Sequence, residues 1–205
     1  MLLTLSMTGI TFCGADVGGF FGNPSEELLV LTFACYELPS IIPPFREALR
    51  LRYSLLPYWY TLFARSEFDA QPPMAPLMFH FPTDPATFGL DNEHMVGEAL
   101  LVHPVVHEGA MSVDAYLPRG TWYLHNEWKV YQGGKSVSLP VDLGTIPVFH
   151  RGGFIVPKKA RTRRSSGLMV NDPYTLVISL APELSNSATG YLYLDDFHSV
   201  DVSTS

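Results

Sequence analysis

Ile10-Thr11-Phe12-Cys13-Gly14-Ala15-Asp16-Val17-Gly18-Gly19-Phe20-Phe21-Gly22 is the stretch that decides the fold. Its first four residues are β-branched, aromatic or apolar and suit a buried strand feeding a loop. The glycines that follow let the backbone turn tightly and come close to a ligand. Asn23-Pro24-Ser25-Glu26 then reads as a helix start, with Asn23 as N-cap, Pro24 at the first helical position and Glu26 at the capping-box position. Strand, glycine loop and capped helix are therefore the local architecture. In an α/β barrel, loops at the carboxyl ends of strands carry the active site, so an Asp placed as Asp16 is would be a ligand candidate by position. The alternative is that Asp16 only braces its own turn.

Working outward, Glu27 to Phe33 continues the capped helix with mostly apolar residues, and Pro39, Pro43 and Pro44 end regular structure. A second helix is predicted over about 45–66, with Phe45, Leu49, Tyr53 and Leu56 as its buried stripe and a kink at Pro57. Beyond Pro72-Pro73 the pattern changes to short runs split by Pro and Gly. Ala99 to Val106, Ser112 to Leu117, Val137 to Leu139 and Phe154 to Val156 read as strands, with turns at Pro118-Arg119-Gly120 and Gly133-Gly134. Such a run of strands describes a β-sandwich. Tyr174 to Leu180 and Tyr191 to Leu194 read as strands of a further β unit.

The chain has 205 residues and a formal net charge of −7, which argues against a nucleic-acid partner because phosphate binding needs a basic face. Arg161-Thr162-Arg163-Arg164 is the basic cluster, read as a solvated loop. No apolar run approaches the ~20 residues of a membrane span. Met1 to Thr8 is apolar but lacks a basic leader, so no signal peptide is read there. Cys13 and Cys35 either pair in an oxidising compartment or stay free. His103 and His107 are four apart, but the strand-like Pro104-Val105-Val106 between them brings no third ligand; they read as structural, and no metal or cofactor is expected. Trp122, Trp128 and Tyr131 read as sandwich packing, with a sugar platform as the alternative.

Gly14-Ala15-Asp16-Val17-Gly18-Gly19-Phe20-Phe21 resembles the loop after the seventh barrel strand in the α-glucosidases of glycoside hydrolase family 31. Arg52-Tyr53-Ser54-Leu55-Leu56-Pro57-Tyr58-Trp59-Tyr60, Gly97-Glu98-Ala99-Leu100-Leu101-Val102-His103-Pro104, Ile146-Pro147-Val148-Phe149-His150-Arg151-Gly152-Gly153 and Leu194-Asp195-Asp196 match the family in the same order. Arg163-Arg164-Ser165-Ser166 and Asp172-Pro173 look most like the branch that trims glucose from N-linked glycans in the endoplasmic reticulum. The resemblance implies an α/β plus all-β architecture: the end of a (β/α)8 barrel over residues 1–72, a β-sandwich over 73–157 and the start of a second β domain over 158–205. It also implies an oligosaccharide substrate, a regulatory β subunit as a possible partner, and the endoplasmic reticulum as location.

On the same resemblance, Asp16 hydrogen-bonds sugar hydroxyls and Phe20 forms an aromatic wall of the cleavage pocket. A carboxylate accepts two hydroxyl protons in strong charge-assisted bonds, and an aromatic face covers the C–H side of a sugar ring. Phe197 stands where the family's turn motif continues with Gly, which implies strain if that turn needs a positive φ. Retaining glycosidases cleave with a nucleophile and an acid/base carboxylate. In the family both lie on earlier strands, in motifs without counterpart here, and the Arg-x-His segment of the eighth strand is missing from the interval Leu31 to Ser40. The expectation is therefore a carboxyl-terminal fragment of an α-glucosidase, inactive alone, with no catalytic residue of its own. The competing class is a non-catalytic β-sandwich module that binds carbohydrate or a partner.

Overall fold

The computed structural model describes residues 1–11, 13–14, 42–142 and 144–196, with side chains of the helix that begins at Ile42 described from Arg46 onward. Asp16, Phe20, Cys35, Phe197, the capped helix after Asn23 and the interval of the eighth strand lie outside the described residues.

Helix α1 spans Leu2–Met7. The expected strand is not formed at Ile10, Thr11 or Cys13. A parallel barrel strand takes its hydrogen bonds from neighbours on either side. Here Ile10 N instead donates back to Leu5 O at 3.0 Å, after a turn at Gly9 with φ 90°.

The predicted second helix is split into α2, Ile42–Ser54, and α3, Leu56–Asp69. The break falls at Leu55, two residues before Pro57, whose ring excludes the carbonyl one turn earlier and whose nitrogen has no proton to give. α3 ends at Ala70 in the left-handed region, φ 54°. The buried stripe is not the one expected. Leu55, Tyr58 and Leu62 are enclosed and Leu51 packs beside them, whereas Tyr53 is exposed. These residues fall at helical spacing on the face that meets the sheet, so tertiary packing selects one of two apolar faces.

Ten strands follow among the described residues. Six form one antiparallel sheet in the order β1-β2-β3-β8-β5-β6: Met74–Ala75, His94–Val96, Leu100–Val102, Val148–Arg151, Thr121–Leu124 and Val130–Gln132. A short helix α4, Leu77–His80, sits between β1 and β2. β4 (Ser112–Leu117) pairs with β7 (Lys135–Pro140), and β9 (Phe154–Lys158) with β10 (Thr175–Ser179).

The two-stranded β4–β7 sheet packs on one face of the large sheet. Its Ala115, Leu117 and Leu139 meet Leu77, Met95, Leu101, Trp122 and Phe149 in one core. The other face meets α3 and β9 through Val96, Ala99, Leu100 and Val156. Enclosing each large side chain contributes roughly 1.5–3 kcal/mol relative to leaving it in water. Trp122, with its indole N–H on Pro118 O at 2.7 Å, is the packing residue expected; Trp128 is half in solvent. Tyr191, Leu192 and Leu194 lie outside regular structure, and this segment lies along α3, where Tyr193 N donates to Thr61 Oγ1.

Candidate functional site

The residues leading to the glycine loop are described up to Gly14, and their anchors are clear. Ser6 Oγ donates to Met74 O at 2.7 Å, tying α1 to β1, and Ser66 Oγ on α3 reaches Thr11 Oγ1 at 3.4 Å. The entry to the loop is thus fixed on the same helix that carries the sandwich.

That helix is joined to the sheet by residues of two of the quoted motifs. Tyr58 Oη donates to Val96 O at 2.9 Å and accepts from Ala99 N at 3.3 Å, and burial holds its hydroxyl protonated far above the ordinary range. Gly97 between them has φ 57°, and a Cβ there would lie 2.4 Å from Tyr58 Oη. Beside this joint Arg65 pairs with Glu98 at 3.1 Å and Asp69 at 3.3 Å and lies over the Tyr191 ring. Tyr60 Oη donates to Asp195, a bond that pushes the phenol up to about 12. The Asp195 of the turn motif therefore serves as an anchor for α3.

The third motif braces the sheet. Arg151 stacks its guanidinium on Phe81 and Phe154, and Gly152 and Gly153 donate to Thr121 O and Ser179 O, both at 2.7 Å. Its neighbour His150 is enclosed; its Nε2 lies 2.9 Å from His125 Nδ1, and its Nδ1 has no partner among the described residues. Burial, then the neighbouring imidazole and Lys158, pushes His150 down to about 3; burial pushes His125 down to about 4. Both are neutral at physiological pH.

Where β3 leads into β4, a cavity of about 180 Å³ is lined by Asn92, His103, Val106, His107, Ser112 and Asp114. His103 is held by Glu93, Nδ1 to Oε2 at 3.1 Å, both enclosed, and Glu93 also accepts from Tyr116 N. The pairing explains His103 as a structural histidine. Among the described residues no three His, Cys, Asp or Glu side chains converge as a metal site. The basic cluster is not simply solvated: Arg163 holds Asp172 through two bonds at 2.6 and 2.9 Å, and Arg161 reaches it at 3.4 Å. Sequence reading had singled out neither Tyr58, Arg65 nor Glu98 individually; a glycine followed by a charged residue at a strand entry was the available signal.

Two descriptions of one family match this chain, the glycosyl hydrolases family 31 TIM-barrel domain over residues 1–35 and the glycosyl hydrolase family 31 C-terminal domain over residues 70–156. The chain belongs to glycosyl hydrolase family 31. Among family 31 relatives it is 44% identical to the neutral alpha-glucosidase C of Macaca fascicularis, over 97% of this chain and 29% of that protein. It is also 44% identical to the neutral alpha-glucosidase AB of Sus scrofa, over 100% of this chain and 24% of that one. A crystal structure of glucosidase II alpha subunit in its alpha3-Glc2-bound form superposes with a TM-score of 0.87 at 34% identity, covering 95% of this chain and 24% of that one. A heterodimeric complex of the ER glucosidase II catalytic subunit with the binding domain of its regulatory subunit gives 0.89.

The chain thus spans about a quarter of the length of the relatives it matches, and it joins part of the family's barrel region to the β-rich carboxyl-terminal domain. The alignment with the Sus scrofa relative runs over 227 positions against 205 residues here, so within the matched span that relative carries about 22 residues without counterpart.

Proposed function

We propose that these 205 residues are the carboxyl-terminal part of a retaining α-glucosidase that removes terminal α-linked glucose, in the manner of the enzymes that trim N-linked glycans. The observation that carries the reading is the superposition over 95% of the chain on a glucosidase II alpha subunit in its alpha3-Glc2-bound form. Residues 1–72 supply the end of the barrel, 73–157 the sandwich that braces it, and 158–205 the beginning of a distal β unit. Asp16 takes the hydroxyls of the glucose and Phe20 walls the pocket. The endoplasmic reticulum is the compartment that fits this reading, and a regulatory β subunit the protein partner.

Hydrolysis needs the nucleophile and the acid/base, which the resemblance assigns to earlier strands, so the 205 residues by themselves bind or support rather than cleave. We place the residues without counterpart in the Sus scrofa alignment at the eighth strand, between the two helices that flank it. The test grafts residues 1–205 onto the preceding three quarters of a family relative, with and without its eighth-strand segment. Turnover of an aryl α-glucoside by the graft with that segment restored, abolished by Asp16→Ala, supports the reading. Turnover by residues 1–205 alone, or an active graft indifferent to Asp16→Ala, sinks it.

A further inference from the structure

The hairpin joining β5 to β6 contains the feature that neither the fold nor the proposed hydrolysis uses. Two of its residues hold left-handed backbone: Asn126 at φ 70°, which asparagine tolerates, and Trp128 at φ 55°, which a large aromatic residue adopts only under strain. The turn is closed on both sides of the strained residue, by Trp128 N on Leu124 O at 2.9 Å and by Leu124 N on Lys129 O at 2.9 Å. Strain of this kind persists where the surroundings over-determine it, and it gathers at sites that bind.

The indole held this way is not spent on the core. Trp128 is 47% exposed, while Trp122 is fully enclosed. One side of its ring is backed by imidazoles: centroids lie 5.1 Å from His150 and 6.1 Å from His125, and those two imidazoles stack on each other at 5.2 Å. The backing pair is joined by its own hydrogen bond and anchored on β8 and at the end of β5, so the aromatic is presented on a stiff base. Around it on the same turn Asn126, Glu127 and Lys129 are all exposed. A flat, rigid, half-open indole on a turn that also exposes Asn126 and Glu127, with the Lys129 ammonium turned over the Tyr131 ring, suits a ring with an apolar C–H face and a hydroxylated edge.

We propose that the Asn126–Lys129 turn is a sugar-binding platform of the sandwich, on which Trp128 stacks an α-linked gluco-oligosaccharide. The choice of α-linked glucose rests on the α-glucosidase reading above. The stacking face itself is set by the turn's geometry. Bound there, an oligosaccharide is held by a part of the chain that performs no chemistry, which raises its local concentration near the polypeptide.

Titration calorimetry with maltotriose and with cellotriose, on the 205-residue chain and on Trp128→Gly and Trp128→Phe, tests this. The expected result is saturable binding of maltotriose, retained within about threefold by Trp128→Phe and weakened at least tenfold by Trp128→Gly. Trp128→Gly should keep or raise its Tm, because glycine relieves the left-handed strain. Three outcomes overturn the proposal: no saturable binding to the wild-type chain, equal binding by Trp128→Gly, or a preference for cellotriose. A fall in the Tm of Trp128→Gly with maltotriose binding unchanged would show the indole to be packing alone and overturn it too. None of these touches the hydrolase reading, which stands or falls on turnover by the graft.

Discussion

Replacing Gly97 by alanine should break the joint between α3 and the sheet. The new methyl would sit 2.4 Å from Tyr58 Oη and 2.6 Å from Leu62 Cδ2, at a backbone φ of 57°. Left-handed backbone at alanine costs roughly 1–2 kcal/mol, crowding in a packed core about 1–3, and displacement of the Tyr58 bond to Val96 O about 1, for a total of about 3–6 kcal/mol. For a chain of this size that is a fall in Tm of about 7–14 °C. Tyr58→Phe alone should cost about 1–3 kcal/mol by leaving Val96 O and Ala99 N without their partner. It also removes the atom the new methyl strikes first. The double variant should therefore be less destabilised than the two singles together, by about 1 kcal/mol or more. Urea unfolding followed by far-UV circular dichroism measures all three. A Gly97→Ala loss below about 1 kcal/mol, or strict additivity, would refute the reasoning.

Acid should weaken the fold. His150 is pushed down to about 3 and His80, His94 and His125 to about 4, by burial in each case, against 6.5 in the unfolded chain. Because the folded values are depressed, only the unfolded chain gains these protons as the pH drops below about 6.5, so stability is full above that pH and declines toward 4, by about 2 kcal/mol at pH 5 for His150 alone. A urea midpoint unchanged between pH 7.5 and 5 contradicts this. Glu93→Ala should cost about 2–4 kcal/mol by stranding His103 Nδ1 and Tyr116 N, and Glu93→Gln, which keeps an acceptor, clearly less; equal losses in urea unfolding would show that the acceptor does not matter. Asp172→Asn should loosen the grip on Arg161 and Arg163 and speed tryptic cleavage after Arg161, Arg163 and Arg164, read by mass spectrometry. An unchanged digestion rate would mean the ion pairs do not order the loop.

The β region was legible because its signals are local. Val113, Ala115 and Leu117 alternate with polar neighbours along β4, and the turns at Gly120 and Gly134 adopt the positive φ that glycine supplies, 135° and 84°. Pro57 marked the helix break for the same reason. The buried face of α2 and α3 was misread because the helix is apolar on two sides, and only the sheet's position chooses between Tyr53 and Leu55. The strand order, which sets β8 between β3 and β5, is a non-local choice that no window of residues encodes. His125 and His150 meet only through that choice, since Tyr123 pairs with His150 across β5 and β8. The expected strand at Ile10–Cys13 depended on neighbouring strands rather than on its own composition. For the sugar site the family motif was the sole signal, and Asp16 and Phe20 lie outside the described residues.

Neighbouring residues of β2 and β3 serve opposite cores: Met95 and Leu101 enter the sandwich interior, Val96 and Leu100 the layer beneath α3. Where a sheet has no wet side, as at β2 and β3, it has no spare phase. Gaining or losing one amino acid there would exchange the two interiors wholesale, so indels should be tolerated at the hairpin tips and in the 103–111 connection and hardly at all in between.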